Sequence, residues 1–203
     1  CALPILSQIV CAPQGHYFES PASWLSRVAL SQGARLRELL DLLQVAGPDL
    51  DLELMRPGLF ATTRALGLQP ERLGVANRVF ANFQRAGLDP QRFLLFEGKL
   101  PRYRFCPKCL GACGLPTIPV HWRFACWRVC PVHACLMRDA CGHCGSALVL
   151  PANMLNAGPE KEGVAYLSQC LTCGSRLGSA ACHSINDIGL EHWEFDLIGN
   201  GRA

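Results

Sequence analysis

Cys106-Pro-Lys-Cys109, Cys130-Pro-Val-His133, Cys141-Gly-His-Cys144 and Cys170-Leu-Thr-Cys173 follow one another within residues 106–173, and this succession of pairs decides how the chain is read. Two ligands separated by two residues form a knuckle whose donor atoms converge on one point, and tetrahedral zinc needs a second pair from elsewhere to complete its shell. Taken in chain order, the pairs predict two zinc ions. The first would be held by Cys106, Cys109, Cys130 and His133, the second by Cys141, Cys144, Cys170 and Cys173. Spacing also admits a crossed arrangement, in which the two middle pairs share one ion and the two outer pairs the other. Sequential pairing avoids the long loop between the outer pairs, and loop-closure entropy favours it modestly. Each half then reads as a zinc-ribbon or zinc-finger unit. A lone pair would equally mark a redox dithiol, but that chemistry comes with a βαβ context rather than in tandem.

The other cysteines fit metal better than disulfides. The chain has 13, an odd number, and 11 of them fall between Cys106 and Cys182. Cys1, Cys11, Cys126, Cys135 and Cys182 read as ordinary free thiols. Cys113, four residues past Cys109, could substitute in a disturbed first site. His121, His143 and His183 read as packing or surface residues, with His143 pointing out of its knuckle. Reduced thiols place the chain in a cytoplasmic compartment. The opening residues 1–10 are apolar without a basic leader segment and read as a trimmed N-terminus rather than a signal peptide. No apolar run approaches the roughly 20 residues of a membrane helix.

Upstream of the knuckles the composition changes. Residues 20–100 hold helical signals. Ser20 can cap a first helix with Pro21 at its first position, and Trp24, Leu25, Val28 and Ala29 follow at helical spacing up to Gly33. Further helices are expected over 34–45 (Leu36, Leu39, Leu40 and Leu43 on one face), 50–55, 59–66 and 70–86, the last with Leu73, Ala76, Val79, Phe80 and Phe83 inward. Gly and Pro residues end each of them. The expected architecture is therefore α plus small zinc-binding modules. An arm spans 1–19, a helical domain compatible with a helix-turn-helix spans 20–100, and a tandem zinc-finger domain with a C-terminal tail spans 101–203.

The formal charge is +3. Filled zinc sites with three and four thiolates would contribute −1 and −2 and bring it to about zero, so only local charge can speak for nucleic acid. Arg102, Arg104, Lys108, Arg123, Arg128 and Arg138 form a basic stretch without an acid between them. That is either a solvated face offsetting the thiolates or a phosphate-contacting surface. Arg64, Arg72, Arg78 and Arg85 put further positive charge on the later helices. Candidate contacts to nucleic acid or a partner are Arg64, Arg72, Arg78, Arg102, Arg104, Arg123 and Arg128.

Nothing marks a catalytic site. Four protein donors close a zinc shell, whereas catalytic zinc keeps a position open for water. Asp139, Glu160, Glu162 and Glu191 stand in no zinc-hydrolase motif. His192-Trp193-Glu194 matches a deaminase fragment but follows the cysteine pairs instead of preceding them. No catalytic residue is assigned, and the chain reads as a non-enzyme.

The segment Glu19-Ser-Pro-Ala-Ser-Trp-Leu-Ser-Arg-Val-Ala-Leu-Ser-Gln-Gly33 is followed by Arg104-Phe-Cys-Pro-Lys-Cys-Leu110, His121-Trp-Arg123, Val129-Cys-Pro-Val-His133 and Cys141-Gly-His-Cys-Gly145. In that order these resemble the TniQ family of bacterial transposition proteins. The resemblance implies an N-terminal helix-turn-helix region, C-terminal zinc fingers carrying the same eight ligands, and a target-selection adaptor that is not itself the recombinase. It implies an AAA+ ATPase and target DNA as partners, with an RNA-guided CRISPR effector in some systems and a homodimer as a further option. Trp24 is expected in the core and Trp122 between the two sites. A sequence-specific transcription regulator with structural zinc sites is the alternative reading. It predicts tight, sequence-dependent binding by the isolated chain.

Overall fold

The computed structural model describes residues 9, 11–54, 56–112, 114, 116–157, 163–185 and 189–201. Cys1, Cys113, Glu160 and Glu162 lie outside the described residues.

The first helix, α1 (Pro21–Ser31), begins where its capping chemistry dictates: Ser20 Oγ accepts the Ser23 N–H at 3.1 Å, and Pro21 occupies the first helical position. Trp24, Leu25 and Val28 are buried, and Gly33 turns the chain away at φ +62°. α2 (Leu36–Leu42), α3 (Leu50–Glu53), α4 (Pro57–Ala65) and α5 (Gly74–Arg85) complete the helical region. Five helices were expected, with two limits to correct. The segment expected to be helical to residue 45 stops at Leu42, because Gln44 takes a left-handed φ of 57°. The segment expected over 70–86 breaks at Leu73 (ψ 49°), leaving a 3-10 turn at Pro70–Arg72 before α5.

Beyond α5 the elements are very short. β1 (Phe96–Glu97) and β2 (Leu100–Tyr103) form a hairpin, and β2 also pairs with β5 (Leu148–Val149) in an antiparallel sheet of order β1-β2-β5. Gly98, at φ +60°, makes the hairpin turn. β3 (Val129–Cys130) pairs with β4 (Cys135–Leu136), and β6 (Leu155–Ala157) with β7 (Gly163–Val164). α6 (Pro107–Ala112) carries the first knuckle, and α7 (His192–Gly201) ends the described chain.

The composition boundary near residues 98–101 is not a boundary in packing. One hydrophobic cluster contains Trp24, Leu25, Leu39, Leu50 and Phe80 together with Tyr103, Phe105, Ile118, Trp122, Leu148 and Leu177. Trp24 is in the core, as expected, and Trp122 joins the same core at 4% exposure. Polar groups of α1 reach across the boundary as well. Ser23 Oγ accepts the Ile118 N–H at 3.0 Å, and Ser26 Oγ accepts the Ala152 N–H at 2.9 Å. A backbone N–H buried without a partner would cost about 1–3 kcal/mol, so these bonds to the Ile118 and Ala152 N–H groups fix how α1 sits on the second half.

The same logic explains the opening motif. The Glu19 side chain is fully buried, and its carboxylate accepts from Ser23 Oγ at 2.7 Å and from Arg27 Nε and Nη2 at 2.9 and 2.7 Å. Trp24 Nε1 donates to the Pro13 carbonyl at 2.8 Å. Glu19, Ser20, Ser23, Trp24 and Arg27 are thus a structural unit that seats α1.

Candidate metal centres

Chain order sets the grouping: Cys106, Cys109, Cys130 and His133 come together, and separately Cys141, Cys144, Cys170 and Cys173, with all donor atoms in each group within 4.8 Å of one another. The crossed pairing is not the one the fold adopts. In the first group Cys106 and Cys109 lie at the start of α6, Cys130 ends β3, and His133 follows in the β3–β4 turn. His133 presents Nδ1 at 3.2 Å from Cys109 Sγ, 3.5 Å from Cys106 Sγ and 3.6 Å from Cys130 Sγ, and the Cys109 and Cys130 sulfurs are 3.6 Å apart. In the second group Cys141 and Cys173 are separated by 3.8 Å and Cys144 and Cys170 by 3.5 Å. Two sulfurs bound tetrahedrally at about 2.3 Å must lie about 3.8 Å apart. The donor sets therefore fit a tetrahedral ion in kind, number and spacing.

The second group is built from two copies of one turn. Cys141-Gly-His-Cys144-Gly145-Ser146 and Cys170-Leu-Thr-Cys173-Gly174-Ser175 each fold so that the first Cys N–H donates to the Ser carbonyl at 2.8 Å. The Gly N–H returns to the carbonyl of the first Cys, at 3.0 and 2.8 Å respectively. Both glycines require positive φ, +74° and +76°. The Cys-x-x-Cys-Gly-Ser repeat is the sequence signal for this geometry, and it extends two residues beyond the ligands. In the first group Ala134, directly after His133, takes the matching left-handed position at φ 45° without being glycine.

Crowded thiols cannot all ionise without a cation between them. Contacts with Cys109 and Cys130 draw Cys106 far below the ordinary thiol value, and the same contact drives Cys109 far above it. In the second group hydrogen bonds with Ser146 lower Cys144 to about 6, while burial pushes Cys170 up to about 12. Cys135 was not singled out by spacing, yet its sulfur lies 3.6 Å from Cys106 Sγ and in contact with Cys182.

The basic stretch looks different in three dimensions, because acids from elsewhere in the chain enter it. Arg104 Nε lies 3.0 Å from Asp139, with Arg102 beside it at 3.4 Å. Arg128 Nη2 meets Glu194 at 2.6 Å. Arg123 corrects the expectation outright. It is fully buried, and its guanidinium binds Asp49 and reaches Asp51 Oδ2 at 2.9 Å, so it has no surface to offer nucleic acid or a partner. The Tyr103 hydroxyl donates to Asp51, and the Ala22 N–H adds a bond of 2.9 Å. Burial alone would lower the Arg123 pKa, but Asp51 and Asp49 raise it above the ordinary value. Burial lifts both Asp51 and Tyr103. Arg64 pairs with Glu71 at 2.8 Å, Arg72 bonds Gln69 and Gln14, and Arg78 lies over the Tyr17 ring.

The remaining candidates fall into place as packing or surface residues. His121 sits 4.5 Å from the Trp127 ring, and burial lowers its pKa to about 4. His143 is exposed, and His183 Nε2 lies 2.9 Å from Arg138 Nη1. Glu194, part of the deaminase-like fragment, is fully buried against Arg128 and pins α7.

A helical region sharing its core with two four-donor groups defines a class of proteins built around clusters that could each hold a metal ion. Within that class the chain belongs to the TniQ family, whose model matches residues 10–137. That family gives it a role associated with transposition. No curated protein matched the chain. The first centre lies inside the matched segment and the second beyond it.

Proposed function

We propose that this protein binds two zinc ions and acts as a non-enzymatic adaptor in DNA transposition, linking target DNA and a target-recognising component to an AAA+ ATPase. The TniQ match over residues 10–137 carries the reading. Zinc at each centre would supply a tetrahedral cross-link. Cys106, Cys109, Cys130 and His133 would hold one ion, Cys141, Cys144, Cys170 and Cys173 the other. Four donors fill the shell, so each centre serves architecture rather than activation of water. In this reading residues 20–100 form the helix-turn-helix-like domain, and residues 101–203 form the zinc modules on the common core. Arg64, Arg72, Arg78, Arg102, Arg104 and Arg128 remain contact candidates, Arg64, Arg102, Arg104 and Arg128 only by exchanging an internal carboxylate for an external one. An RNA-guided effector is a possible target-recognising component, and a second copy of the chain a further partner.

The test is co-assembly. The zinc-loaded chain should associate with the ATPase on DNA in the presence of ATP, and its effect on transposition in a reconstituted system should saturate at a fixed ratio to the ATPase. Association with neither ATPase nor DNA, or turnover of ATP or DNA by the chain alone, would overturn the reading.

A further inference from the structure

The outer face of α5 combines an absence of acids, cations outside any ion pair and exposed aromatic rings. The helix contains no acidic residue, and Arg78 and Arg85 stand on the side away from buried Ala76 and Phe80. A seven-residue separation is about two helical turns, roughly 10 Å along the axis, so both cations face one way. Arg72, on the 3-10 turn before α5, adds a third. Its bonds go to the neutral amides of Gln69 and Gln14, and Arg78 meets the Tyr17 hydroxyl. Unlike Arg102, Arg104, Arg123 and Arg128, none of these three is ion-paired among the described residues.

Beside them two adjacent aromatic rings face solvent: Tyr17 is 50% and Phe18 55% exposed. They are not loose. The rings meet edge to face at 5.2 Å, and Phe18 meets His121 in the same way at 6.2 Å. The Tyr17 carbonyl accepts the Val75 N–H at 3.0 Å, and the Phe18 carbonyl accepts the Val120 N–H at 2.8 Å. Gly74 leaves room for the Tyr17 ring, since a Cβ there would lie 2.5 Å from it, and the Arg78 guanidinium covers the ring at 5.2 Å. Rigidly held aromatic surface is costly to expose and cheap to use in binding, because little side-chain entropy is left to lose.

We infer that this face binds single-stranded DNA, with Tyr17 and Phe18 stacking on unpaired bases and Arg72, Arg78 and Arg85 contacting the phosphates. Every base has a π-face, so a stacking platform beside unpaired cations suits a single strand of any sequence. A duplex keeps its bases stacked and offers these rings nothing. The inference does not depend on the adaptor reading, because it concerns the isolated chain.

Fluorescence anisotropy on the full zinc-loaded chain tests it, with labelled oligothymidylate of about 15 nucleotides, the same length of duplex, and oligouridylate. Single-stranded DNA should bind more tightly than duplex. Tyr17→Ala/Phe18→Ala should weaken it about tenfold or more while leaving duplex binding nearly unchanged. Tyr17→Leu/Phe18→Leu keeps apolar bulk for folding and should weaken it as much. Arg78→Ala/Arg85→Ala should flatten the salt dependence. Undiminished binding by the Leu variant would show that the rings do not stack on bases, and would overturn the inference. Duplex preference, binding of RNA alone, or no binding of single strands would each overturn the inference. Since no ATPase is present, such a result leaves ATPase co-assembly to be judged on its own experiment.

Discussion

Arg123 Nη1, on the 3-10 turn Val120–Arg123, lies 2.9 Å from Asp51 Oδ2 on α3, and neither side chain is exposed. The pair ties the helical region to the segment between the two halves of the first metal centre. Removing one partner strands a buried charge, which costs about 3–5 kcal/mol. Arg123→Met should therefore lower the urea midpoint sharply without any direct effect on a surface contact. A variant with wild-type stability but impaired partner binding would reverse that assignment.

Metal removal should reach the helices. Structural zinc contributes on the order of 10 kcal/mol to small modules, and Cys106, Cys130, Cys141 and Cys170 belong to the same hydrophobic cluster as Trp24 and Phe80. Chelation should thus lower the helical circular dichroism signal and the near-ultraviolet signal of buried Trp24 together. Separate transitions would mean that the helical region folds alone. Metal analysis should give two ions per chain, and one for Cys144→Ser.

The knuckle glycines give opposite expectations at two positions. Gly145 holds φ +74°, so Gly145→Val should weaken metal retention at the second centre, measurable by competition with a chromogenic chelator. Ala134 holds φ 45°, where a side chain costs about 1–2 kcal/mol. Ala134→Gly should raise stability by about 1 kcal/mol; a loss would mean that the methyl group contributes packing of greater worth.

Acid should loosen α7. Burial alone would raise Glu194, but Arg128 and the Glu191 N–H more than reverse this, leaving the carboxyl below its ordinary value. A depressed carboxylate stabilises the fold above its unfolded pKa and stops doing so as pH falls through the folded one. Amide exchange in residues 192–201 should accordingly accelerate below pH of about 4. Glu194→Gln should show fast exchange already at neutral pH and lose that acid dependence.

The two donor groups and most of the helices were legible because their signals are local. A knuckle needs two residues of spacing, and Ser20-Pro21 or Gly33 marks a helix end within one turn. Arg123 was misplaced because its partners, Asp49 and Asp51, are 74 and 72 positions away, and a stretch that lacks acids in sequence can still acquire them in space. Glu194 reaches Arg128 across 66 positions in the same manner. The strands escaped notice because runs of two to four residues are too short to display a period. Tyr17 and Phe18 carried no sequence signal, because the Tyr17 ring is seated against Gly74, far along the chain.

The Gly98 hairpin, which in composition looks like a joint, is clamped on both sides by the β1-β2-β5 sheet and by the Ser23 and Ser26 bonds. The packing runs through it without a break. If the proposed partners bind, one at the donor groups and one at α5, a single continuous core joins them, so the angle between the two bound bodies would be set in advance by the interior of this chain instead of being found by diffusion after they arrive.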